Sequence, residues 1–165
     1  AGFLNSLSQL YAPSLIDGEL SVYNFVEDIE RGDVHGFMDR FTTFLSGNDY
    51  EIQGGLELYF LNTMYVMFKM MELYVRAEYH TSNGRIDIVL DTDKYIYIIE
   101  LKRDSSPETA LRQIEEKGYA NPFQASGKEI VELGINFSSQ THTIDGWQVK
   151  ESTSTSPTSS QKSHP

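Results

Sequence analysis

The chain has no cysteine among its 165 residues. That rules out disulfides and thiolate metal sites, and it is compatible with a reducing cytoplasm. Positive charge is scarce: 13 Lys and Arg stand against 24 Asp and Glu, a formal net charge of −11. Gripping phosphate needs Lys and Arg, so the balance argues against a protein that holds nucleic acid over its whole surface. The deficit is uneven. Up to Leu56 there are nine acids and two bases, whereas Glu57 to Lys150 holds fourteen acids and ten bases. No apolar run approaches the roughly 20 residues of a membrane span, and the first residues lack the pattern of a signal peptide. The first residue is Ala rather than Met, so the sequence is expected to be part of something longer.

What the chain does contain is enough apolar material for one core, 39% hydrophobic and 12% aromatic, at a length that suits a single domain. Its densest stretch runs from Gly84 to Lys102. Two runs rich in Ile, Val and Tyr flank the polar break Asp91-Thr92-Asp93-Lys94, which predicts a hairpin. Alternation in the second run puts Ile96, Ile98, Glu100 and Lys102 on one face and Tyr95, Tyr97, Ile99 and Leu101 on the other. Both faces begin apolar, so the strand is expected to be central and covered. In the first run Ile86, Ile88 and Leu90 share one face, and Asp87 and Val89 the other.

Charges at a covered strand need partners, since burying a lone one costs several kcal/mol. Pairing the two runs brings Asp87 toward Glu100, and two like charges held together call for a cation. A hard divalent ion takes oxygen ligands. Asp87, Glu100 and the carbonyl of Leu101 would make half of a Mg²⁺ shell, with Mn²⁺ as the alternative ion. Such an ion activates water and stabilises charge on a phosphate, and Lys102 beside it would orient the nucleophile or neutralise the developing charge. This is the chemistry of phosphodiester hydrolysis. The plainer alternative is an ion pair between Glu100 and Lys102 at a strand end, with Asp87 bonded to Arg85 or a turn amide.

An acid, twelve residues, then Glu-x-Lys resembles the signature of the PD-(D/E)xK nuclease superfamily. The surrounding blocks are Gly-Arg-Ile-Asp-Ile-Val-Leu, Tyr-Ile-Tyr-Ile-Ile-Glu-Leu-Lys, Ala-Leu-Arg-Gln-Ile-Glu-Glu-Lys-Gly-Tyr-Ala and Gly-Ile-Asn-Phe-Ser. Their order resembles the branch found, largely in Bacteroides-type bacteria, behind an ATPase-like domain, over about Tyr50 to Lys150. The resemblance implies an α/β restriction-endonuclease-like core, a mixed central sheet flanked by helices. It also implies DNA as substrate, with Asp87 and Glu100 as metal ligands. Many relatives cut two strands as dimers, so a homodimer is a further expectation.

Two more residues take roles from the resemblance. Relatives often place an extra acid on the helix before the first strand, and Glu57-Leu58-Tyr59-Phe60 matches that block, although Leu61 stands where the family has glutamine. Glu57 is thus a direct or outer metal ligand, unless it serves only the helix dipole at its N-terminal position. A Gln and a Tyr downstream of the lysine assist the site in RecB-like branches, and Gln113 and Tyr119 resemble that pair. Gln113 would hold the DNA backbone or position Lys102, against a plain rim role. Glu78 and His80, on the preceding strand, are open between the site and the surface.

The rest of the chain frames these residues. Helices are expected over Gly2–Tyr11, Glu19–Glu30 with Gly32 as its stop, Val34–Leu45, and Leu56 to about Met71. A strand follows over Leu73–His80, with a turn at Asn83-Gly84. A helix capped by Ser106, begun by Pro107 and stopped at Gly118 comes next, then strands over Lys128–Phe137 and Thr141–Lys150. His35 reads as structural or surface, and Trp147 as core rather than a stacking platform. The layout is residues 1–49 as a helical extension or linker, 50–150 as the nuclease-like domain and 151–165 as a disordered Ser/Thr-rich tail. The competing function is non-enzymatic: an inactive nuclease fold that binds DNA or docks a partner beside an ATPase-like domain. Leu61 and the acidic charge favour that reading; the Asp87, Glu100 and Lys102 set favours the enzyme.

Overall fold

A computed structural model describes residues 21–46, 67, 69–71, 76–82 and 85–152. The first expected helix, Glu57 with most of its helix, the turn at Asn83-Gly84 and the tail from 153 onward lie outside the described residues.

Five strands form one sheet in the order β1 (Arg76–Ser82), β2 (Arg85–Asp91), β3 (Tyr95–Arg103), β4 (Glu129–Ser138) and β5 (Thr143–Ser152). All neighbours are antiparallel except β3 and β4, which run parallel. A parallel pair needs a long crossover, and here it contains α3 (Pro107–Lys117) and a short 3-10 helix at Asn121–Ser126. The β2–β3 hairpin closes through buried Thr92. Its backbone N–H and hydroxyl both donate to the Tyr95 carbonyl, at 2.9 and 3.0 Å, while its hydroxyl accepts from the Tyr95 N–H at 2.9 Å.

One face of the sheet carries α1 (Val22–Arg31) and α2 (Val34–Ser46). Val22, Phe25, Val26 and Ile29 recur at helical spacing, and Gly32, in the left-handed conformation at φ 77°, ends α1 by donating to the carbonyls of Asp28 and Ile29. Both helices share one core with Ile88, Leu90, Tyr97, Ile99, Leu101, Val131, Leu133 and Ile135. Asp28 is buried between them and held by Arg40 at 2.7 Å and Arg31 at 3.1 Å. Tyr97 crosses the layer, its hydroxyl donating to the Ile29 carbonyl at 2.6 Å, and desolvation holds its phenol well above its ordinary pKa.

The opposite face carries α3, whose Ala110 and Ile114 are fully buried and whose Ile114 packs with Ile96, Ile98 and Ile130. The helix begins as expected, with Ser106 accepting from the Thr109 N–H at 3.1 Å and Pro107 in the first turn, and ends at Gly118. β3 is therefore covered on both sides. β5 runs through Ser152, two residues beyond the expected end of the last strand, because Glu151 and Ser152 pair with Val131 and Ile130. That corrects the start of the Ser/Thr-rich tail.

Candidate active site

The register settles the geometry that the sequence only allowed. Asp87 on β2 lies directly across from Glu100 on β3, and Glu100 in turn across from Gly134 on β4. Like charges directly across from one another destabilise a strand pair. Glu100 is 1% exposed, deep enough for that repulsion to matter and for a nearby cation to count.

Lys102, two residues on, is on the same face. Its ammonium donates to Glu100 Oε1 at 3.2 Å and to Gln113 Oε1 from α3. Gln113 is thus brought to the site by the α3 crossover, one turn from Ala110 and beside Ile114. Its Nε2 is buried with no hydrogen-bond acceptor among the described residues. Because an ammonium only donates, the amide must turn its oxygen to Lys102, which leaves the NH₂ to face elsewhere. Leu101 lies between the two charged residues with its side chain in the core on the other face. Glu57 is outside the described residues. Tyr119 packs with the Ile96, Ile98 and Ile130 cluster rather than with Lys102.

Two residues that the sequence reading passed over position this site. Asn136, 2% exposed and across from Lys102, accepts from the Ser105 N–H at 2.9 Å and donates to Asp145 at 2.6 Å. It ties the segment between β3 and α3 to β5, and so sets where α3 begins. Gly134 lets α3 approach: a Cβ there would collide with the Pro107 carbonyl oxygen and lie 3.0 Å from Ala110 Cβ. The signal for Asn136 was a lone amide inside an apolar strand. Trp147 packs against the α1–α2 core and meets the His35 ring edge-on at 4.9 Å between centroids, so it is engaged on the far side of the sheet.

No three His, Asp or Glu side chains converge among the described residues. The donors that the backbone brings together, two carboxylates across one strand pair, are nonetheless the oxygen donors a hard divalent cation takes. By donor type, the paired acids Asp87 and Glu100 suit such an ion.

A buried acid, a second acid across the hairpin and a lysine two residues on, within a mixed sheet flanked by helices, define a nuclease-type α/β domain. A family model described as the PD-(D/E)XK nuclease superfamily matches residues 55–147, and the chain belongs to that superfamily. It is also 35% identical over 96 residues to an "Uncharacterized protein in vnfD 5'region" of Azotobacter chroococcum mcd 1. The match covers 57% of this chain and 19% of that relative's length.

Proposed function

We propose that the chain hydrolyses phosphodiester bonds of DNA with a bound Mg²⁺ or Mn²⁺. The observation that carries this reading is the pairing of Asp87 with Glu100 beside a lysine held between Glu100 and Gln113. Asp87 and Glu100 would hold the ion, with the Leu101 carbonyl and Glu57 as further donors. Such an ion, when bound, lowers the pKa of water and stabilises charge on a phosphate.

The chain's own groups do the positioning. Lys102 carries a fixed positive charge at the rim of a buried carboxylate, where it orients the attacking water and offsets charge gathering on the phosphate. Gln113 fixes the ammonium through its oxygen. Asn136 and Gly134 keep α3, and with it Gln113, at working distance. Lys and Arg are too few for a grip over the whole surface, so binding is concentrated at this face.

A second element of the proposal is that the domain works within a longer chain, which the relative's greater length supports, and that the neighbouring domain is ATPase-like, which rests on the resemblance alone. The reading is tested with supercoiled plasmid and single-stranded DNA in Mg²⁺ and in Mn²⁺. Cleavage by the wild type that is lost in Glu100→Gln and Lys102→Met supports it. Metal-dependent DNA binding without cleavage would replace it with the inactive docking module.

A further inference from the structure

We infer that Asp145 is a positioning residue of this site: through Asn136 it fixes the link between Lys102 and α3, and so the placement of Gln113 against the lysine. The inference rests on the reading that Lys102 and Gln113 serve phosphodiester hydrolysis. Two hydrogen bonds carry it. The Asp145 carboxylate accepts from Asn136 Nδ2 at 2.6 Å, and Asn136 Oδ1 accepts from the Ser105 N–H at 2.9 Å.

The strand is bent to make this contact. Gly146 lies across from Asn136 and Ile144 across from Phe137, so Asp145 is the extra residue of a bulge with no opposite number on β4. Strict alternation would send Asp145 to the same face as Trp147. Ile144 and Trp147, three apart, instead both pack with the α1–α2 core. Gly146 faces the other way, where a Cβ would lie 3.2 Å from Pro107 Cγ at the start of α3. The bulge thus turns Asp145 to the α3 side, the re-aiming of a side chain for which such insertions are used.

The chemistry of the contact is specific. Ser105 offers an N–H, so the Asn136 amide must present its oxygen there, and its NH₂ then needs an acceptor. A carboxylate only accepts, so Asp145 holds the amide in that sense. Asn136 is 2% exposed, where an amide deprived of that partner is costly. The effect reaches the lysine by two routes. Asn136 lies across from Lys102 in the sheet. Ser105 directly precedes Ser106, the N-cap of α3, so its hold fixes the first turn of the helix whose Gln113 Oε1 takes the lysine ammonium.

The test compares plasmid cleavage by wild type, Asp145→Leu, Asp145→Asn, Asn136→Asp and the reciprocal pair Asn136→Asp with Asp145→Asn, beside amide hydrogen exchange at Ser105. Asp145→Leu should speed exchange at Ser105 and lower kcat on the order of ten- to a hundredfold, the effect of a small misplacement. KM should stay nearly unchanged, because an acid grips no phosphate. Asp145→Asn keeps an acceptor oxygen and should cut close to wild type. Asn136→Asp sets two carboxylates against each other and should be slow, while the reciprocal pair restores an amide and a carboxylate across the same gap and should recover most of the rate. Asp145→Leu cutting as wild type does, Asp145→Asn as slow as Asp145→Leu, or a reciprocal pair as slow as Asn136→Asp alone overturns the assignment and leaves the nuclease reading standing. A wild type that does not cut overturns that reading and this role with it.

Discussion

Replacing Lys102 by Met keeps most of the stem and removes the charge. Its ammonium lies 3.2 Å from Glu100 Oε1, with the two side chains 18% and 1% exposed. Removing one partner of a fully buried pair costs about 3–5 kcal/mol, because a charge is left in a poor solvent. Water reaches the lysine end of this pair, which brings the expected loss to about 2–3 kcal/mol. At about 2–4 °C per kcal/mol for a domain of this size, the melting temperature should fall by about 5–10 °C. The double variant Glu100→Gln with Lys102→Met should recover most of that loss, since no charge remains to be solvated. Millimolar Mg²⁺ or Mn²⁺ should stabilise Lys102→Met more than wild type, the ion taking over as countercharge and adding RT ln(1 + [L]/Kd). Thermal unfolding by circular dichroism reads wild type, Lys102→Met, Glu100→Gln and the double variant, each with and without the ion. A Lys102→Met variant within about 1 °C of wild type, or a double variant as unstable as the sum of the singles, would refute the reasoning.

Three other outcomes follow from the packing. Gly134→Ala should cost about 1–3 kcal/mol by overpacking against Pro107 and Ala110 and should slow cleavage as α3 and Gln113 are displaced, which urea unfolding and plasmid cleavage on one preparation would show. Tyr97→Phe should cost about 1 kcal/mol in thermal unfolding, because it removes a buried hydrogen bond and leaves the Ile29 carbonyl only the Gly32 N–H. Asp104 accepts from the Ser139 N–H at 2.8 Å and the Ser139 hydroxyl at 2.6 Å, and these bonds hold its carboxyl below the ordinary value of 3.8. A depressed folded-state pKa stabilises above the unfolded value and is lost as pH falls through the folded one. Asp104→Asn, which tolerates the same left-handed backbone at φ 50°, should therefore unfold earlier than wild type at neutral pH, and the difference should narrow as pH falls below about 4.

Much of the frame could be read from residues alone. Alternation of Ile, Val and Tyr placed β2 and β3 within a residue or two, and Ser106, Pro107 and Gly118 bracketed α3, because caps and strand faces are local physics. Glu100 and Lys102 were legible as charges on an otherwise apolar face, and Gln113 accepts from Lys102. What local pattern does not encode is which strands become neighbours. The parallel seating of β4 beside β3, which puts Asn136 across from Lys102 and Gly134 across from Glu100, is decided by the crossover. The last strand was cut short because Glu151 and Ser152 are polar, and pairing with β4 keeps them in the sheet.

The most direct test of the central claim is calorimetric titration of Mg²⁺ and Mn²⁺ into wild type and Asp87→Ala, followed by cleavage of plasmid and single-stranded DNA with the same two proteins. The account predicts that wild type binds the ion and cuts, and that the single substitution abolishes both while the fold persists. A wild type that cuts DNA without binding either ion, or an Asp87→Ala variant that binds and cuts as wild type does, would contradict it.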